Sequence, residues 1–313
     1  MAFQNKDSLS LAIVKTLVYA SLFNYPLKEK EIWRWLIWER NKASKFQSFK
    51  VKEELHEMTE KKIFQKNGYF FLKGGEESLG IRQKREGWSK EKLEIARQTS
   101  RKISWLPWIK VVGLTGALAM ENADEEDDID LLIITAKERL WLTRLVLYFL
   151  CPILRIKRRR PKDKNVKNKI CFNLFLDEGH LKVSPENLFL AHEICQAKPL
   201  INKDQTYERF LWENRWVKEF LPNAVSIEKK TIKRDNEITK KKGITISLPR
   251  YFAIFDQICF YFQRFYMRPR ITIEKVSLHQ AFFHPQDLAE KINIKYQQKL
   301  SCLGLDKTES WLI

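Results

Sequence analysis

The stretch Val111–Thr135 constrains the fold more than any other part of the sequence. It reads VVGLTGALAMENADEEDDIDLLIIT: an apolar segment, a Gly-centred turn, an acidic loop and a second apolar segment. Both apolar segments are typical of buried strands. Because side chains alternate along a strand, Asp128 and Asp130 would lie on one face, with Ile129 and Leu131 facing a core on the other. The two carboxylates could then bind one hard cation together.

The turn between the two segments predicts a phosphate site. Gly116 allows the backbone to turn sharply and to approach a ligand closely, and the residues from Ala117 to Glu121 are good helix formers. A helix that begins there directs free backbone N–H groups towards a phosphate. The stretch therefore predicts a phosphate-binding turn that faces a metal-binding pair of carboxylates.

Thr115-Gly116-Ala117 followed by Asp128-Ile129-Asp130 resembles the signature of the nucleotidyltransferase superfamily, which includes the aminoglycoside and minimal nucleotidyltransferases and the polymerase-beta-like enzymes. That signature is an apolar residue, Gly, then Gly or Ser, a spacer, and Asp-x-Asp or Asp-x-Glu among apolar residues. The resemblance implies that an NTP is the substrate and that Mg²⁺ or Mn²⁺ is the cofactor. It further implies that the turn residues Thr115, Gly116 and Ala117 hold phosphates and that Asp128 and Asp130 hold the metal.

The sequence departs from this signature at two positions. Ala117 stands where the family usually has Ser, which removes a hydroxyl but keeps the backbone donors. The family's third carboxylate lies on a later strand, and the best matching position is Asn173. Asn can coordinate through oxygen but cannot take a proton. Asp177 or Glu178, just beyond, could substitute for the missing carboxylate.

Two functions therefore stay open. The first is Mg-dependent transfer of a nucleoside monophosphate from an NTP to a hydroxyl of an unidentified acceptor, with Asp128, Asp130 and Asn173 as the catalytic set. The second is a catalytically inactive regulator that binds a nucleotide or nucleic acid with the same fold. A third interpretation of the Asp pair is a solvated acidic loop, because the whole run from Asp124 to Asp128 is acidic.

The charge balance favours a polyanionic partner. The 313 residues carry a net charge of +18 and the pI is about 9.6. Such a surplus attracts RNA, DNA or an acidic surface, although a generally Lys-rich composition has the same effect without any partner. Two Lys- and Arg-rich segments, 155–169 and 226–243, are the candidate sites for RNA or another polyanion, with solvated linkers as the alternative.

The sequence favours a cytoplasmic protein without a membrane segment. Its 5 cysteines are scattered singly, and the first residues have no signal-peptide pattern. The most apolar stretch, Leu140–Ile156, is short and contains Arg144 and Pro152, so it predicts a buried helix. Residues 249–267 predict an aromatic helix that is apolar on most sides, which suggests burial or a homodimer contact.

These patterns predict an α/β (α+β) fold in three parts. Residues 1–75 predict three helices and a hairpin around Asn67-Gly68, the layout of a winged-helix-like domain. Its third helix is acidic, which favours a packing or partner module over a DNA reader. Residues 76–183 predict a small mixed nucleotidyltransferase sheet flanked by helices, and residues 184–313 predict a helical C-terminal domain.

Overall fold

The computed structural model describes residues 8–38, 47–59, 63–161, 163–226, 248–268, 275–283 and 287–305. These residues form a mixed α/β structure with one three-stranded and one six-stranded sheet, both flanked by helices. The predicted fold class is therefore confirmed. Within the described residues, the structure contains no helix long and apolar enough to cross a membrane.

The N-terminal head, which comprises the described residues up to 72, has the layout of a winged helix. Its elements in chain order are α1 (Ser8–Ser21), β1 (Leu27–Lys28), α2 (Glu29–Arg34), α3 (Ser48–Met58), β2 (Ile63–Lys66) and β3 (Tyr69–Leu72). The strands pair antiparallel in the order β1-β3-β2. Asn67 and Gly68 both have positive φ, as a tight hairpin turn requires, so the predicted hairpin is confirmed.

A long helix, α4 (Glu77–Ile103), joins the head to the central sheet. The apolar pattern of the sequence predicts a helix from Ser89 to Ile103, whereas the observed helix begins at Glu77 and includes Gly80 and Gly87, which disfavour a helix. Both glycines lie in open space along the helix, where they cost helical stability without breaking the helix.

Arg82 of α4 explains why the first half is helical. Its guanidinium is buried against the head, where it donates to both carboxylate oxygens of Glu31 at 2.7 and 2.8 Å and stacks on Tyr25 at 4.0 Å. Burial opposes the ionised form of Glu31, but the Arg82 guanidinium outweighs it and lowers the pKa of that carboxyl. From the sequence, Arg82, Lys84 and Arg85 are candidate contacts to a triphosphate, with solvent exposure as the alternative. For Arg82 both interpretations are wrong, because its side chain joins α4 to the head.

The central sheet is built from β4 (Ile109–Leu114), β5 (Ile129–Thr135), β6 (Ile170–Asp177), β7 (Lys198–Asn202), β8 (Lys275–Val276) and β9 (Gln280–Phe282). Its order is β7-β4-β5-β6-β9-β8, with β5 and β6 parallel and every other pair antiparallel. The helices around it are α5 (Gly116–Ala119), α6 (Leu140–Ile153), α7 (Leu188–Gln196), α8 (Thr206–Glu213), α9 (Leu248–Met267) and α10 (Asp287–Cys302). A 3-10 helix, Arg215–Glu219, follows α8.

The region beyond residue 184, for which the sequence predicts helices, also contributes strands β7, β8 and β9 to this sheet. β7 and β8 are the two edge strands of the sheet, and β9, which lies between β6 and β8, has only 3 residues. Pro199 interrupts the pattern of β7. The division of the chain at residue 184 stays a prediction, since the sheet draws strands from both sides of it.

Strand β5 separates two apolar cores. Leu132 and Ile134 pack with the head, α7 and α10 on one face of the sheet. Ile129, Leu131 and Ile133 pack with α4, α6 and α9 on the other. The alternation predicted for this strand therefore holds, and it leaves Asp130 on the face that looks towards the head.

Candidate functional site

Strands β5 and β6 bring three potential ligand side chains together at their first residues. The ligand atoms of Asp128, Asp130 and Cys171 all lie within 4.8 Å of one another. The parallel register pairs Asp130 directly with Cys171, so both side chains share one face. The two carboxylates are thus placed together as the period of a strand predicts, and a thiol lies beside them.

The Gly-centred turn packs against this carboxylate pair. Gly116 has a φ of +64°, and a Cβ built on it would lie 2.7 Å from Asp130 Oδ2. The N–H of Thr115 donates to the backbone carbonyl of Asp130 at 3.1 Å. Only glycine allows both the backbone conformation and the close approach at this position. The helix that follows is a single turn, shorter than the predicted 117–121 segment suggests.

Asn173 lies on β6, where the pairing with β5 shifts between Phe172 and Leu174. Its side chain is buried, and its amide faces the Thr115 hydroxyl at 3.5 Å. Asp177 cannot supply the missing third carboxylate, because it pairs with Thr135 at the other end of the two strands. Glu178 lies beyond Asp177 and forms an ion pair with Arg209. The suggestion that either acid substitutes at this site is therefore wrong.

The basic segment 155–169 folds back onto the acidic loop. Arg159 Nη1 lies 2.7 Å from Asp128 Oδ2, and Lys167 pairs with Glu125 and Glu126. Part of the positive charge that suggests a polyanion partner is therefore balanced within the chain. The second basic segment, 226–243, lies outside the described residues except for Ser226.

Lys92 of α4 fixes the shape of the acidic loop. Its ammonium group donates to the backbone carbonyls of Glu125 and Asp127 at 2.9 and 2.7 Å, and to Asn168 Oδ1 at 2.8 Å. Burial lowers the pKa of Lys92, and the nearby acids oppose that shift. Sequence reasoning misses this residue, because a lysine on a polar helix gives no sign that it turns inward.

A cavity of about 790 Å³ opens on the head-facing side of the sheet. Five of the predicted site residues line it: Thr115, Gly116, Ala117, Asp130 and Asn173. The sixth, Asp128, lies next to Asp130. The head and α7 close the far side with apolar and aromatic side chains, which include Tyr19, Trp35 and His192. The cavity therefore has polar groups from the sheet and the turn on one side and an apolar wall with aromatic rings on the other.

His192 is neutral in this wall. Burial lowers the pKa of His192 to about 3, and its ring stacks on Tyr19 with centroids 4.2 Å apart. Its Nδ1 meets Gln196 at 3.2 Å, whereas its Nε2 is buried and has no hydrogen-bond partner within the described residues. The sequence alone favours a structural role for His192, as a lone histidine on a helix, and its stacking on Tyr19 agrees with that interpretation.

The donor set fits a hard cation only in part. Asp128 and Asp130 offer the oxygen ligands that Mg²⁺ and Mn²⁺ prefer. Burial, reinforced by the two neighbouring carboxylates, raises the pKa of the Cys171 thiol well above its ordinary value. Cys171 is therefore a protonated thiol at neutral pH and does not complete a magnesium shell. The sequence analysis missed Cys171, although the same period of two that selects Asn173 also places Cys171 on that face.

Comparison of the chain with protein-family models and with curated proteins finds no match. The resemblance to the nucleotidyltransferase superfamily therefore depends on the motif and on the geometry described above.

Proposed function

We propose that this chain is a Mg²⁺- or Mn²⁺-dependent nucleotidyltransferase that moves a nucleoside monophosphate from an NTP to a hydroxyl group of an acceptor. One observation carries the proposal: the Gly116 turn lies directly against Asp130, which has Asp128 beside it. A phosphate held by the turn would therefore lie next to a carboxylate pair that suits a divalent cation.

Each site residue has a distinct role in this proposal. Asp128 and Asp130 would hold the cation, which when bound neutralises charge on the phosphates during displacement. Gly116 and Ala117 would position the terminal phosphates through their backbone N–H groups. Thr115, whose own N–H is bonded to Asp130, would contribute its hydroxyl. The cavity wall with its Tyr19 and His192 rings would accept the planar base or the acceptor.

The site lacks a general base for the proton of the acceptor hydroxyl. Asn173 is an amide and Cys171 is already protonated, so neither side chain takes the proton. The proton would then pass to water or to a phosphate oxygen. A positioned base contributes about 10²–10⁴-fold to rate, so we expect slow transfer.

A second candidate function is nucleotide binding without turnover, in a protein with a regulatory role. The ion pair between Arg159 and Asp128 favours it, because the guanidinium occupies a carboxylate that a catalytic metal would use. The missing third carboxylate favours it as well. The two functions share one binding site and differ only in chemistry.

The test is transfer of label from each α-labelled NTP, with Mg²⁺ or Mn²⁺, into the RNA, protein and small-molecule fractions of a cell extract. The wild type is compared with Asp128→Asn/Asp130→Asn, and with Glu125→Gln/Glu126→Gln as a control that removes equal charge from the same loop. Incorporation of label that is lost in the Asp128/Asp130 variant and kept in the Glu125/Glu126 variant supports transfer. Absence of label together with Mg-dependent NTP binding supports the second candidate, and absence of NTP binding by the wild type contradicts both.

Two partner contacts belong to this proposal. The described cations of 155–169 that are not paired with the acidic loop would attract RNA or another polyanion, and salt would weaken that contact steeply.

Helix α9 would form a homodimer contact, because it exposes eight large apolar side chains, among them Phe262 and Phe265. At about 100 Å² each they approach the ~800 Å² per partner of a standard interface. Sedimentation over a range of protein concentrations tests this contact.

A further inference from the structure

A second group of potential metal ligands lies at the opposite end of β6 from Asp128 and Asp130. Asp177 ends β6, His180 follows it by one turn, and His279 lies in the turn between β8 and β9. The ligand atoms of these three side chains lie within 4.8 Å of one another. Segments far apart in the sequence therefore bring two imidazoles and one carboxylate to a single point.

The distances in this group suit a shared cation better than direct hydrogen bonds. His180 Nδ1 lies 3.7 Å from Asp177 Oδ1, and His279 Nδ1 lies 3.5 Å from Asp177 Oδ2. N–H···O hydrogen bonds are shorter, at about 2.7–3.2 Å. Two ligand atoms that each lie about 2 Å from a tetrahedral zinc ion are roughly 3.4 Å apart. His279 Nδ1 is also buried and has no hydrogen-bond partner within the described residues.

The framework around the group is held by hydrogen bonds. The Asp177 carboxylate is fully buried and accepts the N–H groups of Glu138 at 2.6 Å and Gly179 at 2.7 Å. The Asp177 N–H donates to the carbonyl of His279 at 2.9 Å. Gln280 Nε2 donates to the carbonyl of His180 at 2.8 Å, which ties the two loops together. Hydrogen bonds therefore fix the Asp177 carboxylate and the backbone that carries the two imidazoles.

Only the imidazole rings have to move to accept a cation. They lie stacked, with centroids 3.8 Å apart and planes 11° apart, so their Nδ1 lone pairs do not converge. The two side chains are 46% and 37% exposed, which leaves either ring free to turn without disturbing the core. Arg139 and Asp256 also act electrostatically on Asp177, with opposite signs of charge.

We propose that Asp177, His180 and His279 bind one divalent transition-metal ion, and that Zn²⁺ is the best match. Two imidazoles and one carboxylate suit zinc and its neighbours, whereas Mg²⁺ prefers an all-oxygen shell. The ion fastens the turn before β9 to the end of β6. Three protein ligands leave a fourth position for water or for a ligand. This site is independent of the proposed nucleotide chemistry.

The experiment uses the full chain after treatment with a chelator. Zn²⁺ binding is measured by calorimetry, and Co²⁺ binding by its visible absorption, for the wild type, His180→Ala and His180→Ala/His279→Ala. His56→Ala is the matched control, because His56 also lies near a carboxylate, 3.9 Å from Glu29, but on the surface. Asp128→Asn/Asp130→Asn separates this site from the other end of the strands.

We expect one Zn²⁺ per chain in the wild type, in the His56 variant and in the Asp128/Asp130 variant. The affinity should fall at least tenfold in His180→Ala and further in the double variant, with loss of the Co²⁺ band. Because the His180 side chain is partly exposed, His180→Ala should fold normally, which circular dichroism checks. Equal Zn²⁺ affinity in the wild type and the double variant, or loss of binding in the Asp128/Asp130 variant instead, would overturn the proposal.

Discussion

The two ends of the parallel pair β5 and β6 carry two carboxylate clusters that differ in almost every respect. At one end Asp128 and Asp130 lie with a thiol and an arginine, next to a cavity of about 790 Å³. At the other end Asp177 is fully buried and lies with two histidines. The first cluster offers hard oxygen ligands beside a cavity, whereas the second offers mixed nitrogen and oxygen ligands.

The backbone contacts of the two clusters explain this difference. Asp177 accepts two backbone N–H groups and so stabilises the fold. Asp130 Oδ2 instead faces Gly116, which has no side chain to fill the space in front of that oxygen. A carboxylate that is satisfied by the backbone supports the fold, while a carboxylate that faces a bare turn is placed to meet a ligand.

The largest expected effect is that substitution of Asp130 lowers NTP affinity, whereas substitution of Asp177 lowers stability. Asp130→Asn should lower Mg-dependent NTP affinity by at least about 100-fold, equal to about 2.7 kcal/mol. It should change the free energy of unfolding by less than about 1 kcal/mol. Asp177→Asn should lower that free energy by about 2 kcal/mol, because it weakens two hydrogen bonds to a buried charge, and it should leave NTP affinity unchanged.

Denaturant unfolding and NTP titration of the same two variants check this pair of outcomes. If both variants lost stability equally and bound NTP equally well, the distinction between the two ends would be wrong.

Asp256 makes the second end sensitive to pH. Burial, with Asp177 nearby, raises the pKa of Asp256 from 3.8 to about 6. The folded state then holds the proton more tightly than the unfolded state, so stability falls as pH rises from about 3.8 to about 6. Asp256→Asn should remove this fall and should be about 2 kcal/mol more stable than the wild type above pH 6, with no difference below pH 4.

Urea unfolding across that range of pH measures the effect. Zn²⁺ should reduce the difference between variant and wild type, because a cation at Asp177 favours the ionised form of Asp256. Parallel stability curves for the two proteins at every pH would show that folding does not shift the pKa of Asp256, and would contradict the prediction.

The smallest expected effect concerns Arg159. If its guanidinium competes with a cation for Asp128, Arg159→Gln should raise the affinity of the nucleotide-free protein for Mn²⁺ by about threefold, since partly exposed ion pairs contribute about 0.2–1 kcal/mol. Arg160→Gln removes the same charge one residue away and should have little effect. Paramagnetic titration with Mn²⁺ measures both, and a lower affinity in Arg159→Gln would contradict the competition.

The sequence predicts the elements whose signals are local. Strands β4 and β5 and the hairpin at Asn67-Gly68 are legible because apolar runs, alternation and turn residues lie side by side. Strands β7 and β9 are not, because a strand this short is defined by the neighbour it pairs with rather than by its own pattern. The early start of α4 is hidden for the same reason, since the tertiary contact of Arg82 supports a segment that glycines weaken.

The candidate site also has features that the sequence predicts and features that it does not. The period of a strand predicts that Asp128 and Asp130 share a face, and Gly116 predicts a close approach of the backbone. The partners of these residues cannot be predicted from spacing, because Arg159 and Lys92 arrive from other elements. The cluster at Asp177 escapes sequence reasoning entirely, since His180 and His279 meet only once the sheet has formed.

One neighbour of strand β6 in the sheet, β9, is synthesised long after β6 itself. β5 precedes β6 in the chain, but β9 is made about a hundred residues later, as the sequence separation of Leu176 and Gln280 shows. Until then β6 presents an open edge to other nascent chains, which is a template for aggregation. We therefore expect chaperones to matter for this chain, and fragments that stop before residue 280 to precipitate.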